Sequence, residues 1–277
     1  MLGRRTLYGL GGSLTALAGQ QSPFGVAKCA KSSSCVPKDV VVFQYKICPF
    51  CNRVKAVLDY LRIPYKVVEV NPLTKGEISF SKDYKKVPIV VFDGLQVNDS
   101  SPIIEHITED VLKGSSKMMK EHSGLFTKDT DKWGEWSEKR LSVYLYPNIT
   151  RSMEESWECF GYTEDVSEWS PVNRVGTRVM GTLAMTMANG KIKKKYSIVD
   201  ERKELQLCLN EWVEALGNKQ YLHGDKITLP DLMVFGILRS IEGLSTFVEI
   251  MANNPALEAW FKRVEKSCSS CEMKAVA

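Results

Sequence analysis

The sequence predicts an α/β domain of thioredoxin-like element order followed by an all-helical domain, and three observations carry that prediction. A strand, a helix and a second strand fit into about 30 residues from Val40, the size of a βαβ unit. Asp93-Gly94 then joins two apolar runs as a two-residue hairpin. From Thr130 onwards the apolar residues recur at helical spacing.

Taken in order, Val40 to Tyr45 is β-branched and aromatic, fit for a buried strand. Cys48-Pro49-Phe50-Cys51 follows, and Val54, Val57, Leu58 and Leu61 mark one face of a helix that Pro64 closes. Tyr65 to Val70 gives the second strand, parallel to the first. Val87-Pro88 precedes the strand Ile89–Phe92, and the hairpin returns through Leu95–Asn98. Ser100-Ser101-Pro102 opens a helix through Ile103, Ile104 and Ile107. A C-x-x-C at the first strand-to-helix junction completes the thioredoxin-like order. Residues 39–112 form this domain and residues 113–129 a polar linker. Residues 130–277 form the helical domain.

In that second domain a helix from Thr130 carries Trp133, Trp136, Leu141 and Tyr144 until Pro147 ends it. Met153 to Pro171 lacks a clean period and reads as a long excursion with a short helix. Arg174 to Ala188 and Leu205 to Leu216 follow as helices. Thr228-Leu229-Pro230-Asp231 is a capping box, with Ile227 and Leu232 at the staple positions. The stretch Gly176 to Gly190, with Met180, Met185 and Met187, reads as a core helix ending in lysines. Contact of this helix with a membrane surface is the alternative.

Charge separates the chain into a leader and a body. Lys and Arg number 37 against 33 Asp and Glu, a net of +4. No acid precedes Asp39, while Arg4, Arg5, Lys28, Lys31 and Lys38 place +5 there, leaving 32 basic and 33 acidic groups in the body. A near-neutral body argues against nucleic acid as a partner. Residues 1–38, Arg-bearing and rich in Ser, Gly and Ala, have the composition of a mitochondrial or other organelle transit peptide. A secretory signal cut at Ala16-Leu17-Ala18, or an uncleaved disordered tail, are the alternatives. No 18-residue apolar run offers a spanning helix.

The chemistry centres on Cys48 and Cys51. A thiolate is the nucleophile, and a cysteine at a helix N-terminus meets unpaired N–H groups that favour it. Cys48 stands there with Lys46 nearby, and Cys51, one turn on, is placed to resolve a mixed disulfide. An inert pair or half of a metal site is the alternative. No second cysteine or histidine pair at zinc-like spacing lies nearby to complete a metal site. Cys268 and Cys271 are expected to be an incidental pair in a mobile tail.

Four blocks make the sequence resemble a known family: Tyr45–Cys51, Val67–Pro72, Lys86–Ile89 and Val97–Ser101. In this order they resemble the glutaredoxin-like half of glutathione transferase relatives, and most closely the membrane-associated prostaglandin E synthase type 2 family. The likeness continues more weakly through Tyr146–Ile149, Arg174 to Tyr196 and Leu229 to Gly243. The resemblance implies a glutathione-transferase-like helical domain and a glutathione site. In that site Pro88 is cis, the backbone of Val87 pairs with glutathione, and Asp99 and Ser100 hold its γ-glutamyl end. Tyr45 and Phe50 flank the thiol. Plain N-capping is the other reading of Asp99 and Ser100.

The implied reaction is glutathione-dependent isomerisation of prostaglandin H2 to prostaglandin E2 at Cys48. A homodimer, peripheral membrane contact and haem bound with glutathione as iron ligand are also implied. A thiol–disulfide oxidoreductase or glutathione transferase, acting on a small hydrophobic or disulfide substrate, is the second reading. A non-enzymatic glutathione–haem binding protein is the third.

Overall fold

A computed structural model describes residues 36–273. The predicted leader, with Cys29 and Cys35, therefore falls almost wholly outside the described residues. Five strands form one mixed sheet in the order β4-β3-β1-β2-β5. β1 (Val40–Gln44) lies parallel to β2 (Tyr65–Glu69), with Val42 opposite Val67, and antiparallel to β3 (Ile89–Phe92). β3 pairs antiparallel with β4 (Leu95–Asn98). The hairpin between them needs left-handed backbone at both turn residues, and Asp93 (φ 46°) and Gly94 (φ 90°) provide it. α1 (Pro49–Tyr60) is the crossover from β1 to β2. α2 (Ser100–Glu105) follows β4 and continues as a π-helical stretch to Leu112.

The segment that reads as a linker contains α3 (Ser116–Glu121), because the Ser115 hydroxyl caps the Met118 N–H and Met118 is buried. α4 (Thr130–Trp136) runs through a π-helical stretch into α5 (Ser142–Ile149). Pro147 lies inside α5 instead of ending it. The missing Pro147 N–H removes one donor from the turn before it, and side chains serve the neighbouring carbonyls: Asn148 donates to Tyr144 O (2.8 Å) and Thr150 to Tyr146 O (3.0 Å). The excursion holds α6 (Met153–Cys159) and a short 3₁₀ turn, Gly161–Asp165.

α7 (Pro171–Lys195) corrects the core expectation. Its buried residues are Thr177, Gly181, Thr182 and Asn189, while Met180 and Met187 are exposed and only Met185 packs inward. Hydrogen bonds from Asn189 to Pro147 O (2.9 Å) and Asn71 to Thr177 (3.2 Å) satisfy this polar inner face.

The remaining helices are α8 (Glu201–Leu216), α9 (Leu229–Arg239), α10 (Ser245–Ala252) and α11 (Pro255–Ser267). α9 packs along α1, where backbone meets backbone: a Cβ on Gly236 would lie 2.5 Å from Asn52 O. The predicted capping box forms at Thr228, and Asp231 extends it. Its buried carboxylate accepts from Thr228 N (3.0 Å), Thr228 Oγ1 (2.6 Å), Leu222 N (3.0 Å) and Trp260 Nε1 (3.0 Å).

The C-terminal tail is part of the sheet. β5 (Glu272–Met273) pairs in parallel with β2, and Arg62 donates to Ser269 O (3.0 Å) and Ser267 O (3.3 Å). The buried Asp59 carboxylate joins α1, β2, α9 and the tail through Tyr65 (3.0 Å), Arg239 (2.7 Å) and Cys271 N (2.9 Å). Cys268 is consequently buried, and burial pushes its thiol up to about 12. Both tail cysteines are free thiols. No helix among the described residues is long and apolar enough to cross a membrane.

Candidate active site

β1 ends at Gln44, and the chain turns through Tyr45–Ile47 into α1. Cys48 is the N-cap residue, with extended backbone and Pro49 in the first turn. Four hydrogen bonds fix this loop from both sides. Cys48 N–H donates to Tyr45 O (2.9 Å), and Lys46 N–H to the Glu69 carboxylate (2.6 Å). The Asn52 amide reaches back to Lys46 O (2.8 Å) and also to Cys48 O (3.0 Å).

The two sulfurs divide one proton between them. Cys48 is half-buried and Cys51 fully buried. The Cys51 S–H, then the N–H groups of Cys51 and Phe50, donate to the Cys48 sulfur and hold it below the ordinary thiol range, against burial and the Glu69 charge. Cys51 is pushed well above that range, first by burial and then by its own bond to Cys48. Of the two, Cys48 is therefore the sulfur that ionises more readily and Cys51 the one that keeps its proton. The helix-terminus argument holds through the N–H groups, while the Lys46 ammonium pairs with Asp165 (3.3 Å).

An apolar wall of Val70, Ile78, Val87 and Ile89 surrounds Cys51, with Tyr45, Cys48 and Tyr84 packed on it. Burial, then the thiol pair, pushes the Tyr45 hydroxyl up to about 12, so it stays an O–H donor. The Val87–Pro88 bond is cis, and Pro88 O accepts from Asp99 N–H (3.1 Å), which ties the start of β3 to the end of β4. Asp99 sits at φ 72°, a left-handed conformation that costs a non-glycine residue on the order of 1–3 kcal/mol. Its carboxylate caps Ser100 N–H (2.7 Å), so the capping reading holds. Ser100 Oγ is buried and has no partner among the described residues, which suits a polar atom of a bound molecule.

Four residues escaped sequence reasoning. Glu69 and Asn52 clamp the thiol loop, and burial raises the Glu69 carboxyl to about 7 despite the N–H of Lys46 and the Gln44 amide. Tyr84 feels Asp99 and both thiols, and burial pushes its hydroxyl up to about 12. Tyr162 approaches from the helical domain; burial first, then Glu69, Cys159, Tyr45 and Cys48, raise its hydroxyl. A single Glu or Tyr gives no periodic signal, and only the quoted Val67–Pro72 block touched Glu69.

A cavity of about 490 Å³ opens beside Ile47 and Tyr162 and runs along α1 past Asn52, Lys55 and Asp59. Lys55 is buried there, and burial, then Arg239, lowers its ammonium. A larger cavity of about 840 Å³ lies between α2 and α4, against Arg53, Ser101 and Glu138. The first borders the thiol loop and is the better candidate for a second substrate. The histidines are engaged elsewhere: His106 with Asp110 (2.7 Å), His122 against Tyr60, and His223 facing Asp129 (3.5 Å). No group of three or more His, Cys, Asp or Glu among the described residues is arranged to hold a metal. Asn98-Asp99-Ser100 and Asn148-Ile149-Thr150 have the glycosylation-sequon pattern, but Asn148 is buried and hydrogen-bonded, so a folded chain cannot carry a glycan there.

A thioredoxin-like domain with a thiol at the first helix, docked on a helical domain through α1 and α9, defines the class of glutathione transferase folds. Residues 42–111 match the model of the glutathione S-transferase N-terminal domain, and residues 177–267 that of the C-terminal domain. A solved glutathione S-transferase-I bound with lactoylglutathione superposes with a TM-score of 0.53 at 15% identity, covering 84% of this chain and 98% of that one. A possible glutathione S-transferase from Rhodopseudomonas palustris gives 0.52 at 16% identity, over 85% and 98%. Among curated proteins, prostaglandin E synthase 2 of Danio rerio is 32% identical over 82% of this chain and 71% of its own length. The Mus musculus protein of the same name is 30% identical over 82% and 70%. The chain belongs to the prostaglandin E synthase 2 family.

Proposed function

We propose that this protein is a glutathione-dependent isomerase converting the endoperoxide prostaglandin H2 to prostaglandin E2, with Cys48 as the reacting thiol. One observation carries the assignment of the sulfur: Cys48 is half-buried at a helix start and accepts the Cys51 S–H, which favours its ionisation over that of Cys51. The name shared by the curated relatives, prostaglandin E synthase 2, supplies the product, and the family resemblance implies prostaglandin H2 as the substrate.

Glutathione lies along the backbone of Val87, with its γ-glutamyl end between Asp99 and the Ser100 hydroxyl, and Tyr45 and Phe50 border its thiol. The endoperoxide enters beside Ile47 and Tyr162. The Cys48 sulfur attacks the peroxide oxygen on the carbon that becomes the ketone, and the O–O bond breaks. The other oxygen leaves as an alkoxide and takes up a proton. Loss of the C–H proton from the first carbon then forms the C=O bond and expels the Cys48 thiolate. The net change is an isomerisation, with no electrons gained or lost by the protein. If Cys48 and Cys51 become a disulfide, two glutathiones reduce it by exchange and restore the thiolate.

The Cys51 S–H held against Cys48 also favours a second reading, a thiol–disulfide oxidoreductase in which Cys51 resolves a mixed disulfide on Cys48. Purified protein is assayed with prostaglandin H2 and, separately, with a glutathionylated disulfide. The proposal expects prostaglandin E2, with kcat/KM falling at least about 1,000-fold in Cys48→Ser. Unchanged isomerisation in Cys48→Ser defeats the thiol mechanism, and turnover of the disulfide alone selects the second reading.

Import into an organelle is proposed from the composition of the leader, and N-terminal sequencing of the mature protein tests it.

A further inference from the structure

Lys55 is a buried cation to which the fold gives no partner. It is 8% exposed, and it forms no hydrogen bond or ion pair among the described residues. Taking an ammonium out of water is costly unless an anion or acceptor compensates it. Lys55 lines the cavity of about 490 Å³ that runs along α1, and the acids around that cavity are engaged elsewhere. Asp59 takes Tyr65, Arg239 and Cys271 N–H, Asp165 takes Lys46, and Glu158 accepts from the N–H (2.8 Å) and hydroxyl (2.6 Å) of Ser245. Glu242 is bonded to Glu265, and burial, then that neighbour, raises its carboxyl. Glu272, exposed at the rim, and Glu69, held by the thiol loop, act on Lys55 without pairing with it. Arg239 lines the same cavity, and among the charges acting on Lys55 its like charge is the largest. Of these two cations only Arg239 has its counterion.

We propose that Lys55 binds the carboxylate of the substrate, an amphiphilic acid whose chain lies along α1 with its reacting end at the thiol loop. The cavity is built for such a molecule. Ile47, Tyr162 and Leu244 give it apolar wall, and the first two of these lie at the thiol loop. Lys55 stands seven residues after Cys48, about 10 Å along the helix at 1.5 Å per residue. The inference rests on the reading that prostaglandin H2 enters by this cavity. Prostaglandin H2 is an acid of this kind, with its carboxylate and its peroxide ring at opposite ends of a hydrocarbon chain of comparable reach. Lys55 is then a positioning residue. It holds the acid end in place, takes no part in the bonds that form and break, and selects against substrates that lack the charge.

The test compares the full chain with its Lys55→Met variant, which keeps the length of the side chain and removes the charge. Both are titrated by calorimetry with decanoate and with decanol, and both are assayed with prostaglandin H2 and with its methyl ester. Decanoate should bind Lys55→Met about 30-fold more weakly than wild type, while decanol binds the two alike. Lys55→Met should raise KM for prostaglandin H2 about 30-fold with kcat unchanged, and should leave KM for the methyl ester where it stands in wild type. Because the charge is unpaired in the free protein, Lys55→Met should melt no lower than wild type, whereas loss of a structural lysine would lower the melting temperature. Wild type that binds decanoate through Lys55 but does not turn over prostaglandin H2 defeats the isomerase reading and leaves the acid site standing. Decanoate that binds both proteins alike, or neither, overturns the proposal. So does a Lys55→Met variant whose loss is in glutathione affinity, which would assign Lys55 to a carboxylate of glutathione.

Discussion

At the scale of single residues, the Cys48 thiol is held below the ordinary range by donors from its own first helical turn. Glu69 works against that lowering while holding the loop in place. Its carboxyl titrates near 7, above its ordinary 4.5, because burial penalises the charge. The native state therefore keeps a proton that the unfolded chain has lost across this window. Stability from that proton is complete below about pH 4.5 and is lost as pH rises through 7, a total of about 3 kcal/mol. Glu69→Gln should flatten the difference in urea midpoint between pH 5 and pH 8. It should also lower the Cys48 pKa, read from thiolate absorbance, because it removes a charge that raises it. A Cys48 titration unmoved in Glu69→Gln would refute the electrostatic link. The C-x-x-C was legible because it lies where a strand period changes to a helix period. Glu69, Tyr84 and Tyr162 were not, since their roles come from burial against residues distant in sequence.

Among elements, α9 bears most of the weight of the domain junction. Asp231→Ala would leave four buried donors without an acceptor and should cost about 3–5 kcal/mol, seen as a lower melting temperature. Cys48 alkylation per folded molecule should not change. Gly236→Ala should pry α9 from α1, because its Cβ meets backbone and not a flexible side chain. Its effect should therefore reach the thiol loop through Asn52, and faster alkylation or altered pH dependence of Cys48 would register it. The capping box was readable from four consecutive letters. Pro147 and α3 were misread because side-chain capping of carbonyls and N–H groups rescues segments whose local composition disfavours a helix. α7 was misread for the opposite reason: its apolar residues suggest a core, whereas its polar face carries the specific hydrogen bonds.

For the molecule as a whole, the two domains are stitched by the chain's own end. The tail returns from α11 to extend the sheet beyond β2, and Asp59 binds three segments far apart in sequence. No sequence pattern foretells a two-residue strand, since its partner is set by where α11 ends. Deleting residues 268–277 should lower stability by about 1–3 kcal/mol and speed amide exchange at Tyr65, whose N–H donates to Cys271 O. The near-neutral body has no global field to attract a substrate, so the proposed recognition would rest on local groups beside Cys48 and Ser100. The most direct measurement of the central claim is the pH dependence of iodoacetamide alkylation at Cys48, resolved by mass spectrometry, with and without glutathione. Half-maximal alkylation below the ordinary thiol value of about 8.5, with protection by glutathione and an upward shift in Cys51→Ala, is the predicted result. A Cys48 that titrates as a free thiol and is not protected by glutathione would contradict it.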